Sequence, residues 1–195
     1  MVARLVRRGG HRVGGAELIP RAAPGAPWDI VFLDRDGTIN KRVEGYVGDP
    51  DALELLFGSG QAVARLNDAG CRVVVVTNQR GLSTGLLSWA QWTKVMSRLA
   101  ELLAAHGAHL DHVELCPHQE GECGCRKPAP GLFLKALAAA PWARATRCVM
   151  IGDMPSDVIP ARALGMRTML LGVDAPTLMD AVHALLGAPS AAAPD

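Results

Sequence analysis

WDIVFLDRDGT, residues 28–38, is the segment from which the architecture of this chain follows. It begins with a short apolar run and passes directly into Asp34, Asp36 and a Gly-Thr pair. A second run, RVVVVT at residues 72–77, is rich in valine, which is typical of a central strand buried on both faces of a parallel sheet. The two runs therefore predict two core strands whose carboxyl ends carry polar side chains.

Further strands and helices alternate along the chain. Apolar runs predict strands at residues 28–34, 72–77, 110–116, 147–151 and 167–171. Helical spacing, with Ser88 as an N-cap and Gly70 and Gly107 as stops, predicts helices at residues 59–70, 88–106, 131–140, 156–164 and 177–186. This alternation predicts an α/β fold, in which a parallel sheet is covered by helices on both faces. Ligands of such sheets bind beyond the carboxyl ends of the strands.

The composition excludes several classes of protein. The chain of 195 residues is 49% hydrophobic and 20% charged, with a net charge of +1, so it has no overall basic surface for nucleic acid. Aromatic residues make up 4%, which is too few for a platform that stacks single-stranded bases. No apolar run reaches the roughly 18 residues that a membrane span needs. We therefore expect a protein that binds neither nucleic acid nor a membrane. We also expect a monomer, although the composition does not bear on the oligomeric state.

The two ends of the chain differ from its middle. Residues 1–27 combine five arginines with glycine and proline. We interpret them as a flexible or loosely docked extension, with an arm for a partner or nucleic acid as the alternative. Basic and glycine residues interrupt the apolar runs there, so we expect no export signal and a cytoplasmic location. Residues 188–195 are rich in Ala and Pro and predict a disordered tail, which leaves residues 28–187 as the domain.

Polar residues cluster at the predicted strand ends and before one helix. In chain order the clusters are Asp34 and Asp36, Thr77 to Gln79, Arg126 and Lys127, and Asp153 and Asp157. Because converging carboxylates repel one another, we expect a hard cation among them, and Mg²⁺ binds carboxylate, water and phosphate oxygens. Asp153 would complete the Mg²⁺ coordination, and Asp157 would orient a metal-bound water.

This combination of groups suits the transfer of a phosphoryl group. Asp34 is available as a nucleophile that forms an aspartyl-phosphate. Asp36, two residues on, is expected to act as general acid and later as general base. Thr77 and Lys127 are expected to hold the phosphoryl oxygens, whose charge must be neutralised in the transition state.

A second candidate metal site lies at residues 116–125. The spacing is C-x-H-x4-C-x-C, with Cys116, His118, Cys123 and Cys125 as the candidate ligands. Four sulfur and nitrogen ligands are typical of a closed, structural Zn²⁺ site. We expect the zinc to stiffen a loop without a core of its own and so to orient the basic pair that follows it. A crowded thiol cluster, in a chain with an odd number of cysteines, also indicates a reducing compartment.

The polar clusters resemble the four motifs of the haloacid dehalogenase (HAD) superfamily of phosphatases. The matching segments are residues 34–40, 77–79, 126–128 and 152–157, and the resemblance extends over residues 28–173. It implies a Rossmann-like HAD fold from the branch without a large cap domain. It also implies that Asp36 gives its backbone carbonyl to Mg²⁺ and that Arg126 recognises the substrate. Many members have a basic residue where this chain has Met154, a departure that removes a possible phosphate contact.

Within this branch the resemblance points to two kinds of substrate. The loop after the first strand, with Glu44, Gly45 and Tyr46, is similar to that of heptose-bisphosphate phosphatases, and Tyr46 is expected either to contact a sugar or to cover the core. The short zinc loop is more similar to that of histidinol-phosphate phosphatases. We favour removal of the 7-phosphate from D-glycero-D-manno-heptose 1,7-bisphosphate, with histidinol phosphate or another sugar phosphate as alternatives. Asn78 and Gln79 are expected to contact the substrate.

Two rival classes of protein remain open. A non-catalytic binding protein of this fold would usually lack Asp34 or Asp36, and both are present. A phosphotransferase or phosphomutase uses the same nucleophile but must exclude water from the aspartyl-phosphate, commonly with a cap. No segment of this chain is long enough to form one. Both observations favour hydrolysis of a small phosphate ester.

Overall fold

The computed structural model describes residues 18–187, which contain one sheet of five parallel strands. The strands are β1 (Ile30–Leu33), β2 (Arg72–Asn78), β3 (His112–Cys116), β4 (Cys148–Gly152) and β5 (Arg167–Leu170). Their order across the sheet is β3-β2-β1-β4-β5, and each neighbouring pair runs parallel. The five strands predicted from apolar runs are therefore confirmed. The chain proceeds in opposite directions on the two sides of β1, and such a reversal opens a crevice beyond the carboxyl end of the strand.

Six α-helices accompany these strands between residues 18 and 187. They are α1 (Ser59–Asp68), α2 (Gly81–Thr84), α3 (Trp89–Ala104), α4 (Gly131–Ala139), α5 (Pro155–Ala163) and α6 (Leu178–Leu186). Five of them match the predicted helices to within two residues at either end. The short helix α2 was not predicted, because a single turn is too short to show a hydrophobic period.

Alternate residues of the central strand point to opposite faces of the sheet. Val31 and Leu33 belong to a core that also contains residues of α1, α3 and α6. Ile30 and Phe32 belong to a second core with α4 and α5, where the rings of Phe32 and Phe133 form a T-shaped pair with 5.3 Å between centroids. All four residues of β1 are 0% exposed. The predicted covering of both faces by helices is confirmed.

The longest helix, α3, begins and ends close to the predicted positions. The Ser88 hydroxyl accepts a hydrogen bond from the backbone N–H of Gln91 at 3.2 Å, and the Gln91 side chain accepts one from the backbone N–H of Ser88 at 2.9 Å. This capping box gives partners to N–H groups that the helix cannot satisfy itself. Beyond the other end, Gly107 has a φ of 72°, which glycine adopts without steric cost.

Residues 18–27 pack against the domain, so the folded part begins before residue 28. Ile19 is 2% exposed; its N–H donates to the Ala139 carbonyl at 2.8 Å, and its carbonyl accepts from the Trp142 indole N–H at 2.9 Å. Two apolar residues, Leu18 and Ile19, followed by proline and arginine are too few to show a period, which is why the sequence did not indicate this contact. The rest of the predicted extension, residues 1–17, and the tail at residues 188–195 lie outside the described residues.

The crevice beyond β1 is bordered by loops. The longest segments between a strand and the following helix are residues 34–58 and 117–130. They form irregular chain, with one turn of 3-10 helix at Pro50–Ala52. As expected, no cap domain is present between residues 18 and 187. Over the same residues, none of the helices combines the length and the apolar character that a membrane span requires.

Replacing Ile19 tests whether residues 18–27 contribute to stability. We expect Ile19→Ala to lower the free energy of unfolding by about 2 kcal/mol, because truncation of a buried side chain leaves a cavity. Leu18→Ala is the matched control: Leu18 is 64% exposed, and its truncation should change stability by less than about 0.5 kcal/mol. Urea unfolding followed by circular dichroism measures both. Equal effects of the two variants would contradict the docking of this segment.

Candidate active site

The carboxyl ends of β1, β2 and β4 border a cavity of about 280 Å³. The predicted site residues that line it are Asp34, Asp36, Gly45, Tyr46, Thr77, Asn78, Gln79, Lys127 and Asp157. Asp153 lies beside them, with a carboxylate oxygen within 4.8 Å of oxygens of Asp34 and Asp157. The parallel sheet therefore brings members of all four predicted clusters to one place.

The side chain of Lys127 lies at the centre of this arrangement. It is 2% exposed, and its Nζ lies 2.7 Å from Oδ1 of Asp34 and 2.7 Å from Oδ1 of Asp157. Nζ also donates to the carbonyl of Val76 at 2.7 Å. An ammonium group has three N–H donors, so these three acceptors satisfy it. Burial lowers the pKa of Lys127, but the two carboxylates raise it by more, and the side chain stays charged.

Asp34 follows β1 directly and carries a charge that its surroundings disfavour. Burial raises the pKa of Asp34 from 3.8 to about 6, because removal of water destabilises a carboxylate. The positive charge of Lys127 opposes this shift, and the negative charge of Asp157 adds to it. At neutral pH the carboxylate of Asp34 is ionised and largely removed from water, which is a suitable state for a nucleophile.

Asp36 is held by a buried arginine. Nη2 of Arg35 lies 2.9 and 2.8 Å from the two carboxylate oxygens, and Nε lies 3.1 Å from one of them. The guanidinium also lies over the ring of Trp92, 4.8 Å from its centroid. Burial alone would raise the pKa of Asp36, but Arg35 and hydrogen bonds from Asn40 and Gln79 lower it. The carboxylate is therefore ionised and fixed in direction.

The amides of the Thr77-Asn78-Gln79 cluster hold catalytic candidates in place. Asn78 donates to the carbonyl of Lys127 and accepts from its N–H, both at 3.0 Å. The side-chain amide of Gln79 donates to Asp36 at 2.9 Å and to the Thr77 hydroxyl oxygen at 3.0 Å. Because Gln79 is the donor, the hydroxyl of Thr77 keeps its own proton available for a ligand.

Asp153 presents one free oxygen to the acidic cluster. Oδ1 is buried and has no hydrogen-bond partner among residues 18–187, while Oδ2 accepts from Nη2 of Arg42 at 2.8 Å. Gly37, with a φ of 93°, lies so close that an added Cβ would overlap this carboxylate. An unpartnered buried oxygen costs free energy unless it finds a ligand. Asp34 and Asp153 therefore fit a hard divalent cation.

Asp157 has no free oxygen for a metal ion. Oδ1 pairs with Lys127 at 2.7 Å, and Oδ2 accepts the backbone N–H of Met154 at 3.0 Å. The carboxylate of Asp36 is likewise occupied by Arg35. The backbone carbonyl of Asp36 accepts from Nη2 of Arg42 at 3.2 Å. That this carbonyl binds Mg²⁺, and that Asp157 orients a metal-bound water, stay predictions.

The cysteine and histidine side chains of residues 116–125 converge on one point. Sγ of Cys125 lies 3.3 Å from Sγ of Cys116, 3.3 Å from Nδ1 of His118 and 3.2 Å from Sγ of Cys123. Cys116 lies 3.6 Å from His118 and 3.5 Å from Cys123. The cysteines are free. Edges of this length suit a tetrahedron with metal–ligand bonds of about 2.0–2.3 Å, so the four residues could hold a metal ion.

Two predicted substrate contacts do not line the cavity. Nη1 of Arg126 donates to the carbonyl of His118 at 3.5 Å. This contact directs the guanidinium towards residues 116–125, which we call the cysteine-rich loop. Glu44 is exposed and lies outside the lining. The sequence does not predict where the side chains of Arg126 and Glu44 point, because a flexible side chain takes its orientation from the partners that lie near it in the folded chain.

Tyr46 both lines the cavity and packs against the core. Its ring rests on Gly81, where an added Cβ would come within 2.8 Å of the ring. Its hydroxyl accepts from Nε of Arg80 at 3.4 Å. Tyr46 thus covers part of the core, and its contact with a sugar stays a prediction.

Two arginines of the site were not among the predicted residues. Arg42 lines the cavity but has no sequence feature that separates it from any exposed loop arginine. Arg35 did carry a signal, since it stands between two carboxylates immediately after a buried strand. An arginine at such a position has few acceptors other than its neighbours.

Comparison with known proteins gives consistent matches. A family model described as HAD-hydrolase-like matches residues 124–193. The D-glycero-alpha-D-manno-heptose-1,7-bisphosphate 7-phosphatase of Mycobacterium tuberculosis is 39% identical over 136 residues, which are 69% of this chain and 71% of that one. The D-glycero-beta-D-manno-heptose-1,7-bisphosphate 7-phosphatase of Pseudomonas putida is 35% identical over 143 residues, 73% of this chain and 81% of that one.

Solved structures agree with these sequence matches. The D,D-heptose 1,7-bisphosphate phosphatase from Bordetella bronchiseptica, complexed with magnesium and phosphate, superposes with a TM-score of 0.74 at 30% identity and covers 80% of this chain and 97% of that one. The enzyme of the same name from Burkholderia thailandensis has a TM-score of 0.58 at 26% identity. It covers 82% of this chain and 99% of that one.

Asp34→Asn removes a carboxylate whose charge opposes folding. In the folded chain the pKa of Asp34, about 6, lies above its ordinary value of 3.8. The ionised group therefore destabilises the folded state above pH 6, and this penalty disappears as the pH falls from 6 towards 4. We expect the variant to raise the melting temperature at pH 8 by more than at pH 5, measured by thermal unfolding without added divalent cations.

Asp51→Asn is the control for this measurement. Asp51 is exposed, so its replacement should change the melting temperature equally at the two pH values. An effect of Asp34→Asn that is as large at pH 5 as at pH 8 would contradict the destabilising role of the charge.

Proposed function

The chain belongs to the HAD superfamily of phosphatases, and we propose that it is a magnesium-dependent enzyme that removes the 7-phosphate of D-glycero-D-manno-heptose 1,7-bisphosphate. The observation that carries the proposal is the buried contact of 2.7 Å between Lys127 and Asp34, next to the unpartnered oxygen of Asp153. A nucleophile, a charge partner and a free metal ligand lie together at adjacent strand ends. Relatives named for this reaction, at 39% and 35% identity, support the substrate.

Asp34 starts the reaction. One of its oxygens forms a bond to phosphorus while the bond between phosphorus and the sugar oxygen breaks, which gives an aspartyl-phosphate. Esterification removes the negative charge of Asp34, so Lys127 can turn one N–H towards a phosphoryl oxygen. The hydroxyl proton of Thr77 is available to a second phosphoryl oxygen. Both contacts strengthen as charge spreads over the transferred group.

Asp36 acts as general acid in the first step and as general base in the second. In the free site Arg35 keeps its carboxyl ionised, and the negative charge of an arriving phosphate ester favours its protonation. The protonated carboxyl then gives its proton to the leaving sugar oxygen. In the second step the carboxylate takes a proton from the water that attacks phosphorus, which releases inorganic phosphate and restores Asp34. Arg35 keeps the carboxylate pointed at the reacting atoms through both steps.

The acidic cluster supplies ligands for the metal ion. The carboxylates of Asp34 and Asp153 and the backbone carbonyl of Asp36 would hold Mg²⁺, whose charge would neutralise the transferred phosphoryl group. Asp157 keeps Lys127 in place from the other side. Lys127 neutralises only part of the charge of the acidic cluster, and the remaining negative charge favours the binding of a cation.

We assign Zn²⁺ to the cysteine-rich loop, in a structural role. The four ligand atoms would fill a tetrahedral site, which leaves no position for a substrate or a catalytic water. The loop leads directly into Lys127, and the N–H of Gly131 at the start of α4 donates to the Gly124 carbonyl at 3.0 Å. The metal would thus fix the main chain on both sides of the catalytic lysine.

We also infer that the enzyme works as a monomer in the cytoplasm. Members of all four polar clusters meet within this one chain, so no second subunit is needed to assemble them. The cysteines are free thiols, and zinc-binding thiolates persist in a reducing compartment.

A panel of substrates tests the proposed reaction. With Mg²⁺ present, we expect kcat/KM for D-glycero-D-manno-heptose 1,7-bisphosphate, in its preferred anomer, to exceed that for histidinol phosphate by at least tenfold. Both anomers belong in the panel, because relatives with alpha and beta substrates match at 39% and 35% identity. A tenfold preference for histidinol phosphate would replace the proposed substrate.

Removal of the nucleophile is the internal check of the same assay. Asp34→Asn should lower kcat by at least about 1,000-fold, because the variant cannot form the covalent intermediate. Asp51→Asn changes an exposed carboxylate and should leave kcat as it is. Undiminished turnover by Asp34→Asn would remove this residue as the nucleophile.

Metal analysis tests the cysteine-rich loop. Purified protein should contain one zinc ion per chain, and Cys123→Ser should lose most of it and unfold at a lower temperature, because zinc binding stabilises the loop. Cys71→Ala removes a thiol outside the cluster and should retain the zinc. Zinc absent from the parent protein, or retained fully by Cys123→Ser, would contradict the assignment.

A further inference from the structure

Gln79 is a buried glutamine that borders the cavity but has no polar atom left for a ligand. It is 1% exposed, and its amide nitrogen has two N–H groups. One of them donates to Oδ2 of Asp36 at 2.9 Å and the other to Oγ1 of Thr77 at 3.0 Å. The amide oxygen is buried and has no hydrogen-bond partner among residues 18–187. Gln79 can therefore influence a substrate only through its two partners.

The main chain holds this side chain beside Thr77. Side chains two positions apart in a strand point to the same side, and Thr77 and Gln79 are so related at the end of β2. The N–H of Gln79 donates to the carbonyl of Cys116 at 2.7 Å, and its carbonyl accepts from the N–H of Leu82 at 3.1 Å. The amide thus projects from a backbone that is anchored on β3 and on the start of α2.

The charge of Asp36 determines which way the amide of Gln79 faces. An amide turned by a half rotation would present its oxygen to a carboxylate oxygen, and two acceptors repel each other. The N–H groups therefore face Asp36 and Thr77, and the oxygen of the Thr77 hydroxyl accepts. Its proton then points away from Gln79, towards a phosphoryl oxygen. A single amide thus links the direction of the Asp36 carboxyl to the direction of the Thr77 hydroxyl.

The amide of Gln79 is poorly suited to stabilising the fold. Its two hydrogen bonds favour the folded chain, but burial of its unpartnered oxygen costs free energy of a similar size. A methionine at this position would have nearly the same length and would avoid that cost. The value of the amide therefore lies in the direction that it gives to its partners.

We propose that Gln79 is a positioning residue that aims the carboxyl group of Asp36 at the leaving oxygen and the hydroxyl of Thr77 at the phosphoryl group. This role replaces the substrate contact that the sequence led us to expect at Gln79. The inference rests on the proposed function, since it takes Asp36 as the general acid. The effect of Gln79 then depends on how strongly the leaving group needs a proton.

Two substrates with different leaving groups isolate this effect. A sugar alkoxide needs a proton from Asp36 in order to leave, whereas p-nitrophenolate is a weak base and leaves without one. Gln79→Met removes both donors. We expect kcat/KM to fall about 30- to 100-fold for the heptose 1,7-bisphosphate and about 3- to 10-fold for p-nitrophenyl phosphate, since a misdirected Thr77 affects both esters. Equal losses for the two esters would overturn the proposal.

Gln79→Glu separates hydrogen bonding from shape. Glutamate has the outline of glutamine but presents an acceptor to Asp36 in place of a donor. Its loss of kcat/KM for the sugar ester should be at least as large as that of Gln79→Met, and wild-type activity would contradict the proposal. Gln61→Met is the matched control at an exposed glutamine of α1. It should keep both kcat/KM values within twofold of wild type.

A double variant tests whether Gln79 acts through Asp36. Asp36→Asn removes the general acid and lowers the ratio of kcat/KM for the sugar ester to that for p-nitrophenyl phosphate. Adding Gln79→Met should leave this lowered ratio within twofold, because the group that Gln79 positions is already gone. A further fivefold fall in the ratio would mean that Gln79 acts elsewhere.

Binding and stability distinguish positioning from substrate contact and from structural support. In the Asp34→Asn background with Mg²⁺, Gln79→Met should change the calorimetric affinity for the heptose bisphosphate by less than threefold. A tenfold loss would place Gln79 against the substrate and overturn the proposal. The melting temperature of Gln79→Met should stay within about 3 °C of wild type. A larger fall, with equal losses of activity on both esters, would make Gln79 a structural residue.

The same assays separate failure of the proposed function from failure of this inference. If wild-type protein hydrolyses histidinol phosphate instead of the heptose bisphosphate, the proposed substrate fails. Histidinol phosphate, which is also an alkyl ester, then takes its place beside p-nitrophenyl phosphate and decides on Gln79. If wild-type protein hydrolyses neither alkyl ester, both proposals fail. If it hydrolyses the heptose bisphosphate but Gln79→Met loses as much with both esters, the proposed function stands and the inference is wrong.

Discussion

One buried ammonium group holds the catalytic edge of this protein together. Parallel strands bring their carboxyl ends to the same edge of the sheet, and here the adjacent strands β1 and β4 lead directly into aspartates. Carboxylates this close would repel one another, and burial makes the repulsion stronger. Lys127, which arrives from the loop before α4, lies between Asp34 and Asp157 and neutralises part of their charge. The remaining negative charge, on a cluster with one unpartnered oxygen, is what fits the site for a metal ion and a phosphate ester.

The position of Lys127 depends in turn on contacts that lie outside the cavity. Asn78 holds its main chain from β2 through two hydrogen bonds of 3.0 Å, and the cysteine-rich loop holds the chain that precedes it. The nearby Arg35 plays a comparable part for Asp36, with Trp92 beneath its guanidinium. The catalytic side chains are thus fixed by partners on rigid elements, which is how a small site without a cap can keep its geometry.

Much of this arrangement could be predicted from sequence, because it follows from local patterns and one rule of topology. Buried runs gave the strands, and the rule that ligands bind at the carboxyl ends of parallel strands brought distant aspartates together. The closely spaced cysteines and His118 identified their cluster without a fold. Other features depend on partners that only the folded chain supplies: Arg42 takes its direction from Asp153, 111 positions away, and Arg126 turns to the carbonyl of His118. Ile19 packs against the domain through backbone hydrogen bonds to Ala139 and Trp142, and hydrophobic periodicity does not predict such contacts.

In the proposed reaction the carboxylate of Asp34, held by Lys127, becomes covalently phosphorylated during turnover. Rapid mixing of enzyme, Mg²⁺ and heptose bisphosphate, followed by an acid quench and mass spectrometry of the peptide that contains Asp34, measures this directly. We expect a transient peptide that is heavier by one phosphoryl group, with the modification on Asp34 and absent from Asp34→Asn. Hydrolysis at the normal rate without any such species on the millisecond scale, or with the phosphoryl group on another residue, would contradict it.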